Sequence, residues 1–91
     1  MNKQRRAALA LLSNQLDALK GKLEDLKSEV ETEKDAEQEA YDNMPESLQG
    51  SDKGQAAEAA ADALDSAVNS LDQAMTELEE AMSSLEEATN Q

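Results

Sequence analysis

Residues 64–89 read Leu64-Asp65-Ser66-Ala67-Val68, Leu71-Asp72-Gln73-Ala74-Met75, Leu78-Glu79-Glu80-Ala81-Met82 and Leu85-Glu86-Glu87-Ala88-Thr89, one phrase written four times at a spacing of seven. Leucine and the residue four places later return in alternating steps of four and three. This is the period that keeps one apolar stripe of an α-helix facing a partner. Upstream, Leu9, Leu12, Leu16, Leu19, Leu23, Leu26 and Val30 keep the same rhythm without a gap. Two coiled-coil helices are therefore expected, and the stretch between them decides how they are joined.

That stretch, Asp42-Asn43-Met44-Pro45-Glu46-Ser47-Leu48-Gln49-Gly50-Ser51-Asp52-Lys53-Gly54, holds the chain's single Pro and two of its three Gly. Pro45 lacks the donor that a continuing helix needs and disfavours helical geometry at Met44. Ser51 or Asp52 is a natural cap for a second helix, which the Ala-rich run 56–63 then propagates. The spacing predicts a single all-α domain over 1–91, with helix 1 at about 3–42, a loop at about 43–51 and helix 2 at about 52–90. Helices of that length, joined by a loop that short, fold back as an antiparallel coiled-coil hairpin.

Charges beside the seam support the pairing. With Leu12, Leu19 and Leu26 taken as heptad position d, position e of helix 1 carries Ser13, Lys20, Lys27 and Lys34. With Leu64, Leu71, Leu78 and Leu85 as d, position e of helix 2 carries Asp65, Asp72, Glu79 and Glu86. In an antiparallel pair e faces e, so Lys20, Lys27 and Lys34 are expected to meet Glu79, Asp72 and Asp65. Exposed pairs of this kind select an arrangement more than they stabilise it. Helix 2 also carries Ala67, Ala74, Ala81 and Ala88 at every g position, which widens its apolar stripe beyond what two strands require. A homodimer of hairpins, closing a four-helix bundle, is the expected assembly, the alternatives being a lone hairpin and a bundle completed by another protein's helix.

The 91 residues hold no Cys, His, Phe or Trp, and one aromatic residue, Tyr41. Disulfides, thiolate zinc sites and histidine acid–base or metal chemistry lack their residues. Glu33 and Glu37 fall on seam positions facing an Ala-rich segment, a placement that bundle metal sites use, but the histidines that complete such sites are missing. Catalysis by carboxylates alone needs a pocket that raises one pKa, and a thin rod offers none. The expectation is a non-enzymatic protein without cofactor or metal. Lys3, Arg5 and Arg6 precede an apolar run too short for a targeting segment, and no run approaches the length of a membrane span. A cytoplasmic protein is expected.

Net charge is −13, unevenly spread. Residues 1–34 contain seven bases and six acids, whereas residues 35–91 contain one base, Lys53, and fifteen acids. The acidic face gathered by Asp72, Glu77, Glu79, Glu80, Glu86 and Glu87 repels nucleic acid and anionic membrane. It suits instead the basic groove of a nucleic-acid-binding host protein, for which the rod would act as a DNA mimic. The plainer reading is a solvated face that keeps a coiled coil soluble.

Tyr41-Asp42-Asn43-Met44-Pro45-Glu46-Ser47-Leu48-Gln49-Gly50, followed by an acidic Ala/Leu heptad helix, resembles small uncharacterised proteins of bacteriophages and bacterial mobile elements that have a Pro-Glu-Asn-Leu-Gln-type loop. Ser47 stands here where that pattern has Asn. The resemblance covers about a third of the chain and implies a phage or mobile-element origin and a bacterial host cytoplasm, with no catalytic residue. Tyr41, Met44, Pro45 and Leu48 are expected either to cap the bundle end or to dock a host protein there. Two readings of function follow. One is an adaptor or structural module acting by protein–protein interaction. The other is an acidic DNA-mimic inhibitor of a host nucleic-acid-binding or defence protein.

Overall fold

The computed structural model describes all residues from Met1 to Gln91, and they form three helices with no strand. Helix α1 runs Lys3–Asp42, α2 is a single turn at Glu46–Gln49, and α3 runs Asp52–Thr89. The two long helices lie antiparallel in an extended hairpin of 68 × 15 × 13 Å with a radius of gyration of 20.2 Å. A compact chain of this length would have a radius of about 12 Å, so the molecule is a rod.

The helix ends follow from local chemistry. Asn2 caps α1 by accepting the Arg5 amide at 2.7 Å. At the other end, Asn43 closes the last turn, its amide bonded to the Glu39 carbonyl at 2.9 Å. Pro45, with φ −56° and ψ 145°, turns the chain and accepts at its carbonyl from the Leu48 amide at 2.8 Å, which nucleates α2 inside a segment expected to be plain loop. Proline's preset φ is suited to such a helix start. Ser51 caps α3, its hydroxyl accepting from Gly54 at 3.3 Å and donating to the Leu48 carbonyl. No residue in the connection needs a positive φ.

Gly54 has a specific reason to be glycine. A Cβ added there would fall inside the carbonyl oxygens of Leu48 and Gln49, because α2 crosses directly over the first turn of α3. Gly21, by contrast, faces open space.

The seam differs from the simple a/d stripe of the heptad reading. On α1 the half-buried positions are a and e: Leu9, Leu16, Leu23, Val30 and Glu37, beside Ser13, Lys20, Lys27, Lys34 and Tyr41, with Glu31, which pairs with Lys27, the one exception. Leu12, Leu19 and Leu26, at d, remain 47, 46 and 46 % exposed. On a helix, e lies about 40° to one side of a and d about 60° to the other. The hairpin is rolled toward e, where the lysine stems can lie over the seam while their charged heads reach acids on α3. On α3 the buried residues are Gly54, Ala61 and Val68, all at a, with the d leucines half-buried. Three buried residues out of 91 do not make a core that supports a domain by itself.

Candidate interaction surfaces

Three inter-helix ion pairs set the register. Lys20 Nζ lies 3.0 Å from Glu79, Lys27 Nζ 2.6 Å from Asp72 and Lys34 Nζ 3.4 Å from Asp65. Each step is seven residues up α1 and seven down α3. Hydrogen bonding to Glu79 raises the pKa of Lys20, and hydrogen bonding to Asp72 raises that of Lys27. Glu24 and Glu31, one turn along α1, reinforce the same two lysines at 4.0 and 3.6 Å.

One more heptad toward the loop brings Tyr41 to Glu58. The phenol is held above its ordinary pKa, first by hydrogen bonding to that carboxylate and then by loss of solvent. Tyr41 and Glu58 thus occupy the next pair of e positions in the register that the lysines set. In the other direction the same step pairs Ser13 with Glu86, and the ladder ends for want of a cation. Arg6 reaches past it to the Gln91 carbonyl at 3.1 Å.

The ladder divides the acidic face. Asp72 and Glu79 have their charge matched by lysine, as has Asp65. Glu77, Glu80, Glu86 and Glu87 form no ion pair and stay exposed. What remains of the face is a short cluster toward the end of α3, with no regular row of charge along the rod.

At the loop, the Gln49 side chain was not singled out in the sequence, yet it organises the connection. Its Nε2 donates to the carbonyl of Tyr41 at 3.2 Å, which also accepts from the Met44 amide, and to that of Met44 at 3.4 Å, supplying donors where α1 ends. Gln55 Nε2 donates likewise to the Gly50 carbonyl at 3.2 Å. Met44 is half-buried against this scaffold, whereas Pro45 and Leu48 are exposed, Leu48 by 49 %. The connection is a hydrogen-bonded knob bearing Pro45 and Leu48 outward. The signal for Gln49 lay in its place between a helix-stopping proline and the cap of the next helix, and the signal for Gly54 in its falling on position a of α3.

Glu37 is half-buried level with Ala61, while Glu33 is exposed. No three carboxylates converge to hold a metal ion. Nor is any helix long and apolar enough to cross a membrane.

The side opposite the ladder is a different surface. Leu12, Leu19 and Leu26 stand along it, beside the half-buried Leu64, Leu71, Leu78 and Leu85 and the small g residues Ala67, Ala74, Ala81 and Ala88. Leu26 and Leu64 share a shallow depression with Glu29, Val30 and Glu33. This ledge runs most of the rod and is unpartnered within the chain. No protein-family model, curated protein or solved structure matches the sequence.

Proposed function

We propose that the chain is a non-enzymatic helical-hairpin adaptor that acts by protein–protein interaction, with its leucine ledge closed by a second copy into a four-helix bundle. The observation that carries this reading is the division of α1, whose a and e positions meet α3 while its d leucines stay about half exposed. Fully burying a leucine contributes roughly 1.5–3 kcal/mol, so covering the exposed half of each d leucine contributes roughly 1 kcal/mol. The surface area points the same way. The hairpin exposes 6502 Å², against about 5,200 Å² for a compact monomer of its mass. The difference exceeds the about 800 Å² per partner that a stable interface removes.

The adaptor reading gives the loop knob a role. Leu48, with Pro45 beside it and Met44 beneath, projects from the end of the rod on a scaffold tied by Gln49, and it is the site we assign to a further protein partner. The resemblance of the loop supports a phage or mobile-element origin and action in the cytoplasm of a bacterial host. The inhibitor reading draws on Glu77, Glu80, Glu86 and Glu87, whose unpaired carboxylates suit a basic groove. The lysine partners of Asp65, Asp72 and Glu79 weigh against it, because they interrupt the charge that a duplex presents continuously.

Solution mass by light scattering tests the self-association, with a dimer expected and a monomer at all concentrations contradicting it. Capture of host proteins at low and high salt separates the two partner readings. A loop-docked partner survives salt and is lost with Leu48→Ser. A groove-bound one is lost with salt and with neutralisation of Glu80, Glu86 and Glu87.

A further inference from the structure

The d row of α1 reads Arg5, Leu12, Leu19, Leu26, Glu33. It is symmetric in shape about Leu19 and opposite in charge at its two ends. Arg5 and Glu33 are both exposed, and neither forms an ion pair within the hairpin. We propose that the second copy lies antiparallel to the first, rod against rod, with its twofold axis through Leu19, so that Arg5 of each copy meets Glu33 of the other. The inference rests on the dimer reading above and fixes its geometry.

The twofold axis must lie in the plane of the ledge if two ledges are to face each other. An axis running across the rod reverses its direction and sets α1 on α1 and α3 on α3. Leu19 then meets its own copy, Leu12 meets Leu26, and the charged ends close the row at both extremities. The ion-pair ladder joins positions whose numbers sum to 99, which places Leu78 of α3 within about 3 Å, along the rod, of the level of Leu19. The same axis therefore passes close to Leu78, within the α3 leucine row. The apolar row of α3 thus faces its own copy, as that of α1 does.

The other arrangement, with the axis along the rod, fits badly. It lays α1 on the partner's α3, sets Glu33 against Leu64, and leaves Arg5 without an acid. It also brings the two loop ends together. Residues 35–62 carry eight acids and one base, so each copy would bring a like charge of −7 to the same end. Like-charge juxtaposition of this kind selects against an assembly. The antiparallel arrangement separates those ends by the length of the bundle. Because Leu19 lies nearer the open end than the loop, both loop knobs overhang the partner and keep Leu48 uncovered.

The chain has no cysteine, so single substitutions give clean reporters. Leu19→Cys is expected to form an interchain disulfide with itself on mild oxidation. A spin label on Asp35→Cys is expected about 50 Å from its copy, given 1.5 Å per residue on either side of the axis. In the parallel arrangement the same labels stand within about 25 Å of each other, and Leu19→Cys cross-links only when Leu78→Cys is also present. Arg5→Glu is expected to weaken dimerisation by about ten-fold, and Glu33→Arg in the same chain to restore it. A dimer with the short label distance, or without rescue in the double variant, overturns the antiparallel geometry and leaves the dimer standing. A monomer at every concentration overturns both.

Discussion

Lys27 Nζ sits 2.6 Å from Asp72 Oδ1, while Leu26, the residue before it, keeps nearly half its surface in solvent. The two facts have one cause. Rolling α1 far enough for its e lysines to reach α3 turns its d leucines outward, and the heptad divides between the seam and an exposed ledge.

Because the ladder sets register more than strength, reversing one rung should be mildly destabilising and reversing both neutral. Asp72→Lys is expected to lower the Tm of the hairpin by placing like charges together. Lys27→Asp in the same chain should recover it, as read by circular dichroism at low salt, with the difference shrinking in high salt.

Alkali should unfasten the same edge. Lys20, Lys27 and Tyr41 all have folded pKa values above their ordinary ones, so their protonated forms are favoured by folding. Their contribution is complete below the ordinary values of 10.0 for tyrosine and 10.5 for lysine and is lost as pH rises through the higher folded values. Thermal unfolding is expected to show a falling Tm above about pH 10. Tyr41→Phe should remove part of that fall.

Glycine substitutions should move stability in opposite directions. Gly21→Ala adds a methyl group in open space on a helix and is expected to stabilise by about 0.5–1 kcal/mol. Gly54→Ala forces α2 away from α3 and is expected to cost about 1–3 kcal/mol. Denaturant unfolding of the two variants against the parent measures both.

Loss of the Ser51 cap should act locally. Ser51→Ala removes the acceptor for the Gly54 amide and the donor to Leu48, and is expected to cost about 1 kcal/mol. Amide exchange should then rise in residues 50–55 before it rises elsewhere in the rod.

The heptads made the hairpin legible because a period of seven sustained over four repeats has one structural solution, and Pro45 and Ser51 marked its turn. Lys20, Lys27 and Lys34 could be matched to their acids because register in an antiparallel pair follows from position alone. The roll of α1 about its own axis was not legible. It depends on the balance between burying Leu19 and seating Lys20, two side chains that the pattern places side by side without ranking. The role of Gln49 escaped for a similar reason, since its partners are backbone carbonyls and carry no sequence identity. Tyr41, expected in the last turn of helix 1 as part of an end cap or docking site, also falls at e, one heptad after Lys34.

On the dimer proposed above, the ledge formed by Leu12, Leu19 and Leu26 is covered by a second copy of the chain. Sedimentation equilibrium of the parent protein beside Leu19→Glu, with Asn14→Glu as an equal charge change on the outer face of α1, tests it most directly. The parent and Asn14→Glu are expected at twice the 9.8 kDa chain mass and Leu19→Glu at the single mass with its helix content kept. A parent protein that sediments as a single chain at every concentration would contradict the account.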